Sequence, residues 1–87
     1  MTQNGAGGGE RILVVDDEPD IVALVVYHLA KAGFRISTAS NGADALRIAQ
    51  QDRPALVVLD LMLPGMSGLE VLDQLRADDA GQDIGVL

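Results

Sequence analysis

Two stretches of the chain are apolar without alternation, and both end on a carboxylate. One is Arg11-Ile12-Leu13-Val14-Val15-Asp16; the other is Ala55-Leu56-Val57-Val58-Leu59-Asp60. A short apolar run of that kind predicts a parallel strand covered on both faces. The second run is opened by Pro54 and closed by the turn residues Pro64-Gly65. Phe34 to Ala39 instead alternates apolar and polar, the pattern of a half-covered strand at a sheet edge. Ile84 to Leu87 reads as the opening of another buried strand.

Between these runs the period changes to that of a helix. Ile21, Leu24, Val25, His28, Leu29 and Ala32 form one stripe, started by Pro19 and stopped by Gly33. His28, lone on that stripe, is expected to pack there or at its boundary and not to act as a ligand or catalyst. Ser40-Asn41-Gly42 is a turn and cap signal before a short helix over 43–51, with Ala45, Leu46 and Ala49 inward. Ser67 and Glu70 form a capping box for a third helix with Leu69, Leu72 and Leu75 on its inner face and Arg76-Ala77 at its end. Residues 78–83 form an acidic loop. The order β-α-β-α-β-α-(β) implies right-handed crossovers and a parallel α/β sheet.

Composition narrows the class. Eighty-seven residues make one domain, 48% of them hydrophobic, with Tyr27 and Phe34 the only aromatic residues. A net charge of −7 disfavours direct binding to nucleic acid or to an anionic membrane, since both attract Lys and Arg. The chain has no cysteine, which removes disulfides and thiolate metal sites and fits a cytoplasmic location. No apolar stretch approaches membrane-spanning length. Residues 1–9 are Gly-rich and polar, expected as a disordered leader ahead of a domain over 10–87.

The candidate chemistry lies at the strand ends. In a parallel sheet all carboxyl ends share one rim, so Asp16, Asp17 and Asp60 should converge there. Crowded carboxylates repel, and a hard divalent cation such as Mg²⁺ compensates them through oxygen ligands. Such a site suits phosphoryl transfer with a carboxylate as nucleophile. The plainer reading takes Asp16 and Asp17 as acids favoured at a helix start, and Asp60 as a turn residue. That reading explains either cluster alone better than it explains both, each at the end of a buried run.

At these residues the sequence resembles the receiver domain of two-component response regulators. The matching segments are Val14-Val15-Asp16-Asp17-Glu18, Asn41-Gly42-Ala43-Asp44-Ala45-Leu46, and the stretch from Leu59-Asp60-Leu61-Met62 through Leu63-Pro64-Gly65-Met66-Ser67-Gly68. The last is closest to regulators of the winged-helix transcription-factor type. The resemblance implies a flavodoxin-like doubly wound parallel sheet, five-stranded in the family. Here it is expected to be incomplete, with the chain stopping at the fourth strand. It implies that Asp60 accepts a phosphoryl group from a sensor histidine kinase. Asp17 would bind Mg²⁺ directly and Asp16 through water. Asp60 would add a carboxylate oxygen and Met62 a backbone carbonyl, while Pro64 and Gly65 would shape the following loop. The family's switch Ser or Thr and its phosphate-pairing Lys have no counterpart here; Lys31, the single lysine, lies on the first helix. An exposed sheet edge would then invite pairing with a second copy.

Three rival readings differ at identifiable positions. An aspartate-nucleophile phosphatase of the haloacid dehalogenase type carries a second aspartate two residues after the first, where this chain has Met62. A nucleotide-binding module needs a Gly-rich turn after the first strand, where this chain has Asp16-Asp17-Glu18-Pro19. The third is a receiver fragment that folds poorly and is inactive by itself, which a missing cooperative transition would reveal.

Overall fold

The computed structural model describes residues 9–78, 81 and 83–87. The predicted leader, Gly9 excepted, and Asp79, Ala80 and Gln82 of the acidic loop lie outside the described residues. The elements follow in the expected order: β1 (Arg11–Val15), α1 (Pro19–Lys31), β2 (Arg35–Ala39), α2 (Gly42–Asp52), β3 (Leu56–Leu59), α3 (Gly68–Ala77) and β4 (Gly85–Val86). All strand pairs are parallel, and the strands lie in the order β2-β1-β3-β4. The alternating strand at 35–39 is an edge, as its pattern predicts, and β4 is the other edge among the described residues.

The uninterrupted apolar run of β1 is explained by its central place. Ile12, Leu13, Val14 and Val15 are all buried, because helices lie over both faces. Successive side chains point to opposite faces of a strand. Leu13 and Val15 therefore join Ala39 and Val57 on the side covered by Ala45 and Ala49 of α2 and Val71 and Leu75 of α3. Burying a leucine such as Leu13 fully stabilises the fold by roughly 2 kcal/mol.

The helix starts are those expected. Pro19 opens α1, where its missing N–H removes a donor that has no intrahelical partner anyway. Asn41 caps α2 by accepting the Asp44 N–H at 2.9 Å. Ser67 and Glu70 form both halves of the capping box, each at 3.2 Å. Gly33 ends the first helical segment with φ +100°, a region open to glycine at little cost.

Two helix faces differ from expectation. In α1 no residue is fully buried. The half-buried positions are Val22, Val25, Val26 and Leu29, whereas Ile21, Leu24 and His28 are exposed, Leu24 by 56%. At 100° per residue, that is a rotation of roughly a quarter turn from the predicted stripe. The cause is visible in Ile21-Val22-Ala23-Leu24-Val25-Val26. A run apolar on every side has no single apolar face, so packing against β1 and β2 selects one. His28, expected to pack on the stripe or at its boundary, is exposed, its ring edge-on to Tyr27 at 5.3 Å. In α3 the inner face is Gly68, Val71 and Leu75, with Leu72 half-buried and Leu69 61% exposed. Val71 is one turn from Leu75 and Gly68 two turns, which makes a straighter row than the predicted set.

Candidate metal and phosphoacceptor site

The site is built by strand pairing. β1 and β3 are neighbours in register, with Val15 opposite Leu59. The next residue on each strand is therefore an aspartate, and the Asp60 N–H donates to the Val15 carbonyl at 3.0 Å. On the other side, the Asp16 N–H donates to the Ala39 carbonyl at 3.1 Å, so the sheet ladder runs right up to the acidic rim. Strand order reverses at this point, with β2 on one side of β1 and β3 on the other. Such a crevice is the usual ligand site of an open α/β sheet.

Three predicted residues meet here. Asp16, Asp17 and Asp60 each present an oxygen, and these atoms all lie within 4.8 Å of one another. Asp16 and Asp60 are half-buried and Asp17 is exposed. Each half-buried carboxylate is steadied by its own chain. Asp16 Oδ1 accepts the Glu18 N–H at 2.9 Å, and Asp60 Oδ1 accepts the Met62 N–H at 2.9 Å. Both are turns in which an aspartate caps the backbone two residues on. They hold one oxygen of each carboxylate and leave Oδ2 for a ligand. Asp17 makes no hydrogen bond or ion pair with another described residue.

Among the described residues, the lining of the neighbouring clefts supplies no compensating charge. Two clefts open beside the cluster, one on each flank of α1. One, about 360 Å³, is lined by Val14, Ile21, Val25, Val58 and the acids Asp16, Glu18 and Asp60. The other, about 420 Å³, runs along Pro19, Val22 and Val26 to Thr38 and Ser40. Neither is lined by an arginine, lysine or histidine. Three hard oxygen donors with no basic neighbour fit a hard divalent cation, and their small number fits Mg²⁺, which keeps several waters.

The remaining predicted residues follow Asp60 on the loop out of β3. Met62 follows Asp60 by two positions, is 84% exposed, and meets the site through its N–H on Asp60 Oδ1. Gly65 has φ +77° and Pro64 precedes it, which turns the chain from β3 towards α3. Sequence reasoning missed the two capping turns that orient Asp16 and Asp60, although the i, i+2 spacing of each is a readable signal. It also missed how closely α3 approaches Asp60, which no local pattern announces.

The family model of the response regulator receiver domain matches residues 12–87. The chain belongs to this family. It is 51% identical over 67 residues to the alkaline phosphatase synthesis transcriptional regulatory protein PhoP of Bacillus subtilis, covering 77% of this chain and 28% of that protein. This receiver chain spans about a third of the length of the curated relatives it matches. Its fold is that of the response regulator protein TrrA from Thermotoga maritima in complex with Mg²⁺-BeF, with TM-score 0.77 and 46% identity over 80% of this chain and 61% of that one. It also matches a crystal structure of histidine kinase ThkA in complex with TrrA, with TM-score 0.80 and 43% identity over 88% of this chain and 65% of that one. The receiver fold here is thus the CheY-like, flavodoxin-like parallel sheet, represented by four strands. Among the described residues no helix is long and apolar enough to cross a membrane.

Proposed function

We propose that this receiver chain is the phosphoacceptor module of a two-component response regulator and that Asp60 is the acceptor. The observation that carries the reading is the meeting of Asp16, Asp17 and Asp60 at the β1–β3 switch point, with Asp60 Oδ1 held by the Met62 N–H. In the transfer, an Asp60 carboxylate oxygen forms a bond to phosphorus as the N–P bond of a phosphohistidine breaks. The electron pair stays with the departing imidazole nitrogen. Asp17 is the direct metal ligand in this reading and Asp16 acts through water; Asp60 gives an oxygen and Met62 its backbone carbonyl. Bound Mg²⁺ would offset the charge of the phosphoryl oxygens, beside clefts that no described basic residue lines. Pro64 and Gly65 set the path of the loop that carries Met62. The donor is a sensor histidine kinase, in keeping with the complex that TrrA forms with ThkA.

The role is acceptance and not turnover. A phosphatase built on an aspartate nucleophile needs an acid/base two residues on, and Met62 offers none. The test is incubation with a small acyl phosphate and Mg²⁺, read by intact mass. One added phosphoryl group on the wild-type chain, absent in Asp60→Asn and absent with a chelator, is expected. A folded wild-type chain that gains no mass refutes acceptance, and an adduct that survives Asp60→Asn refutes the site.

A further inference from the structure

The N-terminus of α3 stands directly against the peptide that carries Asp60. A β-carbon placed on Gly68 would lie 2.6 Å from the Asp60 carbonyl oxygen, 2.6 Å from Leu61 Cα and 3.1 Å from Leu61 Cδ2. The first two are backbone atoms, so no side-chain rotation relieves them. The Gly68 N–H also donates to the Leu61 carbonyl at 3.2 Å, which ties the first turn of α3 to the same segment. The Met62 N–H that caps Asp60 Oδ1 comes from the next residue. Helix, turn and carboxylate thus form one short chain of contacts.

Gly42, at the start of α2, is a natural control. A β-carbon there would meet Val71 Cγ2 at 2.7 Å, Met66 Cβ at 3.0 Å and Met66 Sδ at 3.1 Å. Met66 Sδ can rotate away, whereas Val71 Cγ2 and Met66 Cβ give way only with a shift of α3 or of the loop before it; none of the three belongs to the Asp60–Leu61 peptide. Both glycines open a helix, so an alanine at either place has the same propensity advantage and differs in what it displaces.

We propose that Gly68 is a positioning residue for phosphoryl transfer. Its lack of a side chain lets α3 seat against the Asp60–Leu61 peptide and so sets where the Asp60 carboxylate stands relative to Asp16 and Asp17. This rests on Asp60 being the acceptor. Ordinary contact begins at 3.4 Å, so an added β-carbon must open the 2.6 Å approaches by about 0.8 Å. A misplacement near 1 Å costs about a hundredfold in a rate that depends on alignment. The shift is shared between helix and strand end, which leaves at least about a tenfold loss.

The experiment compares wild type, G68A and G42A on the full chain. Mg²⁺ affinity is read from the amide resonances of Asp60 and Met62, and the phosphorylation rate at saturating Mg²⁺ from intact mass with an acyl phosphate. Folded fraction is measured in parallel by circular dichroism and matched, with sucrose added where a variant needs it. G68A should lose at least about tenfold in rate and several-fold in Mg²⁺ affinity, with G42A losing clearly less than G68A at matched folded fraction. Equal behaviour of G68A and wild type, or equal losses in G68A and G42A, overturns the proposal. A G68A chain that stays unfolded in sucrose overturns it as well, since Gly68 is then a requirement for folding. A wild-type chain that takes neither Mg²⁺ nor phosphoryl refutes the acceptor reading instead.

Discussion

Replacing Asp60 by asparagine should stabilise the chain when no divalent cation is present. The substitution is nearly isosteric, and an asparagine Oδ1 accepts the Met62 N–H as the carboxylate does. What it removes is one negative charge facing two others. The three carboxylate oxygens lie within 4.8 Å. Unit charges at that distance repel by about 0.9 kcal/mol in water and by about 3.5 kcal/mol at an effective dielectric of about 20. A Debye length of about 8 Å at physiological salt roughly halves either figure. Asp60 is half-buried and Asp17 exposed, so the lower part of the range applies. Two pairs then sum to about 1–2 kcal/mol, or about 5–15 °C in the midpoint of a domain this size. Thermal and urea unfolding in a chelator, followed by far-UV circular dichroism, measures it. The gap should shrink in about 1 M salt, where the Debye length falls to about 3 Å. Mg²⁺ should raise the wild-type midpoint and leave Asp60→Asn nearly unmoved, because a ligand stabilises only the state that binds it. An Asp60→Asn chain no more stable than wild type in chelator, at low and high salt alike, refutes the mutual repulsion on which the metal assignment rests.

Two further outcomes test the frame that holds the site. Ser67→Ala removes the acceptor of the Glu70 N–H and half of the capping box, and should cost about 1 kcal/mol by urea unfolding; a change near zero shows that the box is ornamental to α3. Leu13→Ala empties a fully buried position at the centre of β1 and should cost about 3 kcal/mol, enough to broaden or abolish the cooperative melt of so small a domain; a loss below about 1 kcal/mol contradicts the packing described.

Much of this protein was legible locally. The run ending at Asp16 is apolar throughout because β1 is covered on both faces; β3, expected to be covered likewise, has only Val57 fully buried and lines a cleft with Val58, yet its strand, end and acid could be read together. Asn41, Ser67-Glu70, Pro19 and Gly33 act within a few residues of themselves, so their caps and stops need no knowledge of the rest of the chain. The faces of α1 and α3 were less legible. In α1 six consecutive apolar residues carry no preferred side, and in α3 Val71 and Leu69 compete for the same stripe. The choice belongs to whichever neighbour each helix meets.

The sequence alone determined the alternation of strand and helix, the parallel sheet and the acids at its rim, since each depends on period, composition and short-range capping. The expected convergence of Asp16, Asp17 and Asp60 became an approach within 4.8 Å only in the tertiary structure, because β3 pairs directly with β1 at the Val15–Leu59 register. The tertiary structure alone decided that a glycine at 68 lies against the Asp60 peptide. Contacts between residues dozens of positions apart are set by how elements pack, and packing is a property of surfaces that no local stretch of chain carries.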